Sequence, residues 1–290
     1  MLEQQLFNGL SLGATYALVA VGYTLVFGVL KVLNLAHGEM LTLGAFSAVV
    51  ATSFLGPNLF LALFIGFAVT ALVGALIIEP IAIRPVIHRN QLAPLMTTIG
   101  LSILLISLTA AIFGPSQTQF PQLMGMTSYE IGPILVTSAH ILNIVVAGSM
   151  VLGLTLFLKL TSIGKAIRAV AENPDVAETL GINTRFVRTL TVAIASGLGG
   201  VAGVLISASV GAVTPYSGAA FGLKGLVAVI VGGMASPLGA VVAALGLGFV
   251  EVLSISYFQS ASRHLIPLLL ICVVLLWRPE GIFSSLGRKG

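Results

Sequence analysis

Residues 6–30, LFNGLSLGATYALVAVGYTLVFGVL, form an apolar stretch without one charged side chain. A helix that crosses the hydrocarbon core of a bilayer needs about 20 mostly apolar residues, so this stretch is long enough to span a membrane. The acidic Glu3 before it and its length differ from the basic start and short apolar core of a cleaved signal peptide. We therefore expect a retained membrane helix here.

The composition extends this expectation to the whole chain. Of its 290 residues 57% are hydrophobic and 8% are charged, whereas a soluble domain is roughly 25% charged. So few charges cannot cover a water-facing surface, and most of the surface must face lipid. The 33 glycines favour closely packed helices, and no stretch alternates as the strands of a membrane barrel do. The sequence predicts an all-α, polytopic transmembrane bundle.

Charge-free runs divide the chain into spans. The turn sequences Gly56-Pro57-Asn58 and Ser236-Pro237 separate neighbouring runs that would otherwise be continuous. Nine spans are predicted, or eight if a short segment is broken or re-entrant, within a single transmembrane domain over residues 1–290. The nine runs are 6–30, 40–53, 59–78, 92–113, 139–158, 190–213, 226–234, 238–250 and 265–277.

The basic residues predict the orientation, because Lys and Arg are retained on the cytoplasmic side. With their three clusters in the cytoplasm, the N-terminus lies outside and the C-terminus in the cytoplasm. Only Lys224 and Arg263 then lie outside. The clusters are Arg84 with Arg89; Lys159, Lys165, Arg168, Arg185 and Arg188; and Arg278, Arg288 and Lys289.

Two loops are long enough to have structure of their own. Residues 114–138 contain three prolines and a single charge, Glu130, which predicts a structured extracytoplasmic loop. It is either a contact for a receptor or a polar linker.

The cytoplasmic loop 159–188 has the mixed charge of a partner-binding segment. Asn173 suits a helix N-cap, Pro174 the first helical position, and Gly181 the left-handed residue after a helix end. A short helix with Val176, Ala177 and Leu180 on one side is predicted. That apolar side either enters a partner's groove or packs back onto the bundle.

Four polar residues are candidates for a translocation path or gate. Asn34, His37 and Glu39 place an amide, an imidazole and a carboxylate within six residues at the membrane. Polar groups there are costly unless they are paired or hydrated. They line a path, or they cap the second helix at the interface. Glu251 lies near the outer end of a span without a basic residue within helical reach, and it is either a functional acid or an interfacial side chain.

Several chemistries are not expected. Gly9-Leu10-Ser11-Leu12-Gly13 matches the nucleophile elbow G-x-S-x-G, but an elbow needs a strand before it. One His and one Glu, two residues apart, are too few ligands for a metal site. The 290 residues contain no G-x-x-x-x-G-K-[ST] phosphate loop. The single cysteine, Cys272, excludes a disulfide framework. We therefore predict no catalytic residues, no cofactor, no metal and no nucleic-acid partner.

Three segments closely resemble one family. They are VFGVLKVLNLAHGEMLTLGAF at residues 26–46, RAVAENPDVAETLGIN at 168–183 and GLKGLVAVIVGGMASPLGAVVAALGLGFVE at 222–251. In this order and spacing they resemble the permease subunits of branched-chain amino acid ABC transporters. The resemblance extends over roughly residues 8–277.

The resemblance implies an importer of leucine, isoleucine and valine. Its partners would be a paralogous second permease, two cytoplasmic ATPases and a periplasmic binding protein, in addition to membrane lipid. A urea or short-amide importer and an ion-coupled secondary carrier remain the alternatives. The family's Glu-Ala-Ala coupling triplet is incomplete here, since Val176-Ala177-Glu178-Thr179 occupies its place. The ATPase-coupling residues implied are Arg168, Ala169, Glu172, Asn173, Asp175, Ala177, Gly181 and Ile182.

Overall fold

The computed structural model describes residues 2–87, 89–90, 92–123, 128–131, 134–257, 262–278 and 281–283. Over these residues the chain is an almost entirely helical bundle with two small antiparallel strand pairs. The helices are α1 (Leu2–Leu30), α2 (His37–Leu55), α3 (Leu59–Val73), α4 (Ala93–Phe113), α5 (Ser138–Leu160), α6 (Ser162–Glu172), α7 (Pro174–Thr179), α8 (Thr184–Val210), α9 (Ser217–Gly232), α10 (Pro237–Tyr257) and α11 (Ser262–Trp277). The strands are β1 (Thr118–Gln119), β2 (Ser128–Ile131), β3 (Ile134–Thr137) and β4 (Ala212–Val213).

The predicted all-α polytopic fold is confirmed. Seven of the described helices are long and apolar enough to cross a membrane, and α9 is a shorter apolar helix. With α9 and the 16-residue α11 counted, the described elements fit the predicted eight or nine spans. Helix α3 continues as a π-helical segment, Gly74–Ile83, which contains Pro80. Arg288 and Lys289 of the predicted basic tail lie outside the described residues.

Helix α2 begins inside the bundle rather than at its surface. Lys31 follows α1 with a φ of 57°, a left-handed conformation that turns the chain back. The ring of His37 then lies 4.5 Å from that of Tyr23, measured between centroids. Tyr23 precedes the end of α1 by seven residues, or about 10 Å of helix, so α2 begins at that depth.

Helix α9 also begins inside the bundle. After α8 the chain forms β4, which pairs with β1 between the helices. It then returns, so that the Gly218 amide donates to Thr42 Oγ1 at 2.7 Å, beside the second turn of α2. Two interrupted helices therefore start next to each other, in keeping with the predicted broken or re-entrant segments.

The seventh of the nine predicted spans differs from its predicted bounds. The sequence places the start of that helix at residue 226, with Lys224 in an outer connection, and the structure corrects this. Lys224 lies within α9 and is only 3% exposed. The charge is accommodated because an acidic partner on α10 neutralises it, as described below.

The strands occupy the end of the bundle opposite α6 and α7. The predicted loop 114–138 contains β1 and the hairpin of β2 and β3, while residues 124–127 and 132–133 lie outside the described part. The Gln4 side chain donates to the Leu135 carbonyl at 3.0 Å and accepts from its amide at 2.6 Å. The hairpin is thereby fixed to the start of α1.

Helices α1 and α8 form the centre of the bundle. In their most apolar windows 83% and 78% of the residues are buried, against 17% in α4 and in α5. Large apolar side chains of α3, α4 and α5 instead face outward, as expected for lipid contact. Examples are Phe60, Phe64, Met96, Leu104, Val145 and Leu152.

Glycines permit close contact between the central helices. Gly44 of α2 packs on the backbone of Gly200 in α8, and Gly203 packs on the carbonyl of Leu41. No hydrophobic drive brings apolar helices together within lipid, so such backbone-to-backbone packing is the main source of association.

We predict that Gly203→Ala destabilises the protein by about 1–3 kcal/mol, because the new methyl group would overlap the α2 backbone. Gly100→Ala is the matched control. Nothing lies within 4 Å of a methyl group at that helical position, and we expect unchanged or slightly raised stability. Thermal unfolding in detergent measures both, and equal midpoints for the two variants would contradict the packing argument.

Candidate functional site

The coupling segment, residues 159–188, has the local structure that its sequence predicts. The Asn173 side chain accepts from the amides of Asp175 and Val176, both at 3.1 Å, and so caps α7. At the other end Gly181 has a φ of 83°. The Gly181 and Ile182 amides donate to the carbonyls of Glu178 and Ala177, which is a Schellman motif. Both ends of this short helix are therefore fixed.

The predicted coupling residues differ in exposure. Ala177 is buried against the bundle, whereas Ala169 and Ile182 are half-buried. These three residues pack within the segment and determine its shape, and they do not form its exposed surface. The exposed members are Arg168, Glu172, Asn173, Asp175 and Gly181.

The apolar side of α7 faces two ways. Ala177 packs inward, but Val176 is 53% exposed and Leu180 is 73% exposed. Of the two interpretations left open by the sequence, packing onto the bundle holds for Ala177 only. Val176 and Leu180 are available to a partner.

A polar cluster joins the N-terminal part of α8 to the π-helical segment. The Arg84 side chain forms an ion pair with Glu79, and Thr189 of α8 donates to Glu79 Oε2 at 3.1 Å. The hydrogen bonds that Arg84 donates to Glu79 raise the pKa of Arg84 above its ordinary value. For Arg84 the sequence predicts a cytoplasmic position, but it does not predict the ion pair with Glu79. The i, i+5 spacing of the pair fits a π-helix, which the sequence analysis did not anticipate.

The candidate path residues of the first connection are gathered at the start of α2. Asn34, His37 and Glu39 are each at most 2% exposed. The Asn34 side chain accepts from the Ala36 amide at 3.2 Å and does not cap α2, whose N-cap residue is Ala36. The expectation that these residues cap the helix at the interface is therefore wrong for Asn34. The chain buries it because α2 begins inside the bundle.

Glu39 lies at a groove between α4 and α9. The groove has a volume of about 210 Å³. Ser102 of α4 donates to Glu39 Oε1 at 3.0 Å, while Oε2 is buried without a hydrogen-bond partner among the described residues. The residues lining it are Tyr23, Leu35, Gly38, Glu39, Ile99, Ser102, Ile103, Gly218, Ala219, Gly222, Leu223 and Leu226.

Glu251 is not part of this groove. Its Oε1 accepts from Lys224 Nζ at 2.6 Å, and its Oε2 accepts from the Tyr16 hydroxyl at 2.8 Å. Lys224 Nζ also donates to that hydroxyl at 3.2 Å, so three helices meet in one buried triad. The partner of Glu251 thus comes from another helix, which helical spacing along α10 does not reveal. The signal available in the sequence was a lone lysine within a long apolar region.

We predict that Glu251→Gln destabilises the protein by about 3–5 kcal/mol, because it leaves the Lys224 ammonium buried without a counter-charge. Combining it with Lys224→Met should recover at least half of the loss, since the amide still accepts from Tyr16. The midpoint of thermal unfolding in detergent measures both effects. A double variant as unstable as the single one would contradict a role in charge compensation.

The chain matches a known protein family over nearly all of its length. The family described as branched-chain amino acid transport system / permease component matches residues 5–275. The chain belongs to this family. It is accordingly a multi-pass membrane protein of a transport system.

Two relatives and one structure extend the comparison. The chain is 36% identical over 292 residues to the high-affinity branched-chain amino acid transport system permease protein LivH of Salmonella typhimurium, with 97% of this chain and 95% of LivH covered. It is 34% identical to the corresponding permease protein BraD of Pseudomonas aeruginosa, with the same coverage. PsaBC from Streptococcus pneumoniae in complex with Fab matches at a TM-score of 0.50 and 14% identity, covering 98% of this chain and 92% of that one. This last likeness is one of fold alone.

Membership of the branched-chain permease family confirms the resemblance found in the sequence. The family match includes both the coupling segment and the two interrupted helices. Among the functions weighed, it favours the branched-chain importer over a urea importer or an ion-coupled carrier. The carrier interpretation also loses one of its candidate acids, because Glu251 is held by Lys224 and Tyr16.

Proposed function

We propose that this chain is the membrane-spanning subunit of an ABC importer for leucine, isoleucine and valine. The observation that carries the proposal is the family match over residues 5–275, together with 36% identity to LivH along nearly the full length of both chains. The chain then provides one half of a path in the bacterial inner membrane and performs no covalent chemistry.

The driving energy comes from two cytoplasmic ATPases that bind the coupling segment. Supporting this, the exposed Val176 and Leu180 stand on a short helix fixed at both ends. A six-residue helix is marginal in isolation, so a groove on a partner would hold it. Nucleotide-dependent movement of the ATPases would supply the differential affinity that a two-state transporter needs.

A paralogous second permease and a periplasmic binding protein complete the assembly. The groove at Glu39 supports the second permease, because its lining residues Ile103 and Leu223 remain exposed and a partner helix would cover them. The strand-bearing end of the bundle is the side proposed for the binding protein. This orientation places the N-terminus in the periplasm and the coupling segment in the cytoplasm.

The direct test is uptake by the complete complex in proteoliposomes. We expect ATP-dependent uptake of radiolabelled leucine that requires the second permease, both ATPases and the binding protein. Urea serves as the competing substrate. Uptake of leucine by the chain alone without ATP, or uptake of urea but not leucine by the complex, would refute the proposal.

We predict that Gly181→Pro reduces the co-purifying ATPase by at least about 90%, equivalent to roughly 1.4 kcal/mol of binding free energy. Proline fixes φ near −65°, whereas Gly181 has a φ of 83° and donates its amide to Glu178. The α7 end should therefore be distorted while the chain still enters the membrane.

Gly56→Pro is the matched control for this prediction. Gly56 also follows a helix, has a φ of 84° and donates its amide to Thr52, but it lies at the end of α2 away from the coupling segment. We expect it to keep the ATPase. Equal loss in the two variants would indicate general damage and contradict docking at α7.

A further inference from the structure

The strongest unexplained feature of the molecule is one oxygen atom of Glu39. The side chain is 2% exposed, and its Oε2 has no hydrogen-bond partner among the described residues. A buried carboxylate oxygen without a donor is costly, and such atoms are rare in folded proteins. Because Glu39 lines the groove between α4 and α9, the missing donor can come from a molecule inside that groove.

The depth of Glu39 places it within the membrane path rather than at its mouth. Ser102, which donates to Oε1 at 3.0 Å, lies nine residues beyond the start of α4, or about 13 Å of helix. The starts of α2 and α9 meet at the same point, where a methyl group on Gly218 would approach Glu39 Oε2 to 2.9 Å. Two positive helix ends therefore lie beside the carboxyl group of Glu39.

The lining of the groove identifies the chemistry of its occupant. No lysine, arginine or histidine is among the described residues that line it, so the negative charge has no counter-charge from the protein there. Apart from Tyr23 and Ser102, the other lining residues are apolar, and five of them have branched side chains. These five are Leu35, Ile99, Ile103, Leu223 and Leu226.

A primary ammonium group satisfies Glu39 better than a metal ion does. It offers up to three N–H donors on one positive charge, whereas Ca²⁺ and Mg²⁺ require six or more oxygen ligands. The described residues contain no group of three or more acidic, histidine or cysteine side chains that could hold a metal. The groove volume of about 210 Å³ compares with roughly 30 Å³ for one water molecule in the liquid, so it admits a small organic cation.

We propose that Glu39 is a substrate-binding residue, whose Oε2 accepts a hydrogen bond from the α-ammonium group of the transported amino acid while the branched walls contact its side chain. This inference rests on the proposed function and specifies the substrate contact within it. Ser102 positions the carboxylate through Oε1, and Gly38, Gly218 and Gly222 let the starts of α2 and α9 pack backbone to backbone beside it.

The test is equilibrium binding to the complex of both permeases and both ATPases in nanodiscs, without the binding protein. The probes are radiolabelled leucine and 4-methylpentanoate, which is leucine without its ammonium group. We expect Glu39→Gln to weaken leucine binding roughly 10- to 100-fold, as loss of a charge-assisted hydrogen bond would. Binding of 4-methylpentanoate should change by less than about twofold. Glu39→Asp, which keeps the charge, should restore part of the leucine affinity.

Glu3→Gln is the control, since it converts an exposed carboxylate outside the groove into the same amide, and it should leave both affinities unchanged. Equal leucine binding by wild type and Glu39→Gln, or equal weakening of both probes, would overturn the proposal. So would a wild-type complex that binds no leucine in this assay.

Uptake by the complete complex separates this inference from the proposed function. If wild type and Glu39→Gln import leucine with the same KM and kcat, the substrate contact is wrong and the importer stands. If the wild-type complex imports no leucine, the importer itself is wrong. Retained ATP hydrolysis with reduced leucine uptake in Glu39→Gln supports the contact.

Discussion

The contact between the first turns of α2 and α9 is the constraint on which the arrangement of this permease depends. A methyl group on Gly38 would approach the Gly218 carbonyl to 2.9 Å, and Thr42 accepts the Gly218 amide. Backbone groups at a helix start are otherwise unsatisfied, and within a bilayer that cost is several kcal/mol per group. By meeting each other inside protein, two interrupted helices become compatible with a membrane.

The two buried acids Glu39 and Glu251 differ in their partners. Glu251 has a full set of partners in Lys224 and Tyr16, and the triad joins α9 to α10 and α1. Glu39 has one donor and one oxygen left without a partner among the described residues. Glu251 stabilises the packing of these helices, because its charge is already compensated by Lys224. Glu39 can accept a further hydrogen bond and lines the groove between α4 and α9.

Much of the fold was predictable because lipid imposes a simple rule on composition. Charge-free runs gave the helices, and the caps at Asn173 and Gly181 follow from local backbone chemistry that needs no distant partner. What sequence reasoning missed depends on distant partners. Lys224 was placed outside because its counter-charge on α10 is 27 residues away, and the depth of Asn34 depends on where α2 turns back. The pairing of Glu39 with Ser102 joins residues 63 apart, beyond any local pattern.

The connection between α7 and α8 is fixed by hydrogen bonds on both sides. In the Schellman motif at Gly181 the Ile182 amide donates to the Ala177 carbonyl, and the Asn183 side chain caps α8 by accepting from the Phe186 amide. Helix α8 then continues without interruption for 27 residues. Gly199 and Gly203, in its second half, contact the first turns of α2. A displacement of α7 would therefore be transmitted along α8 to the interior of the bundle, where α8 contacts the turn of chain that holds Glu39.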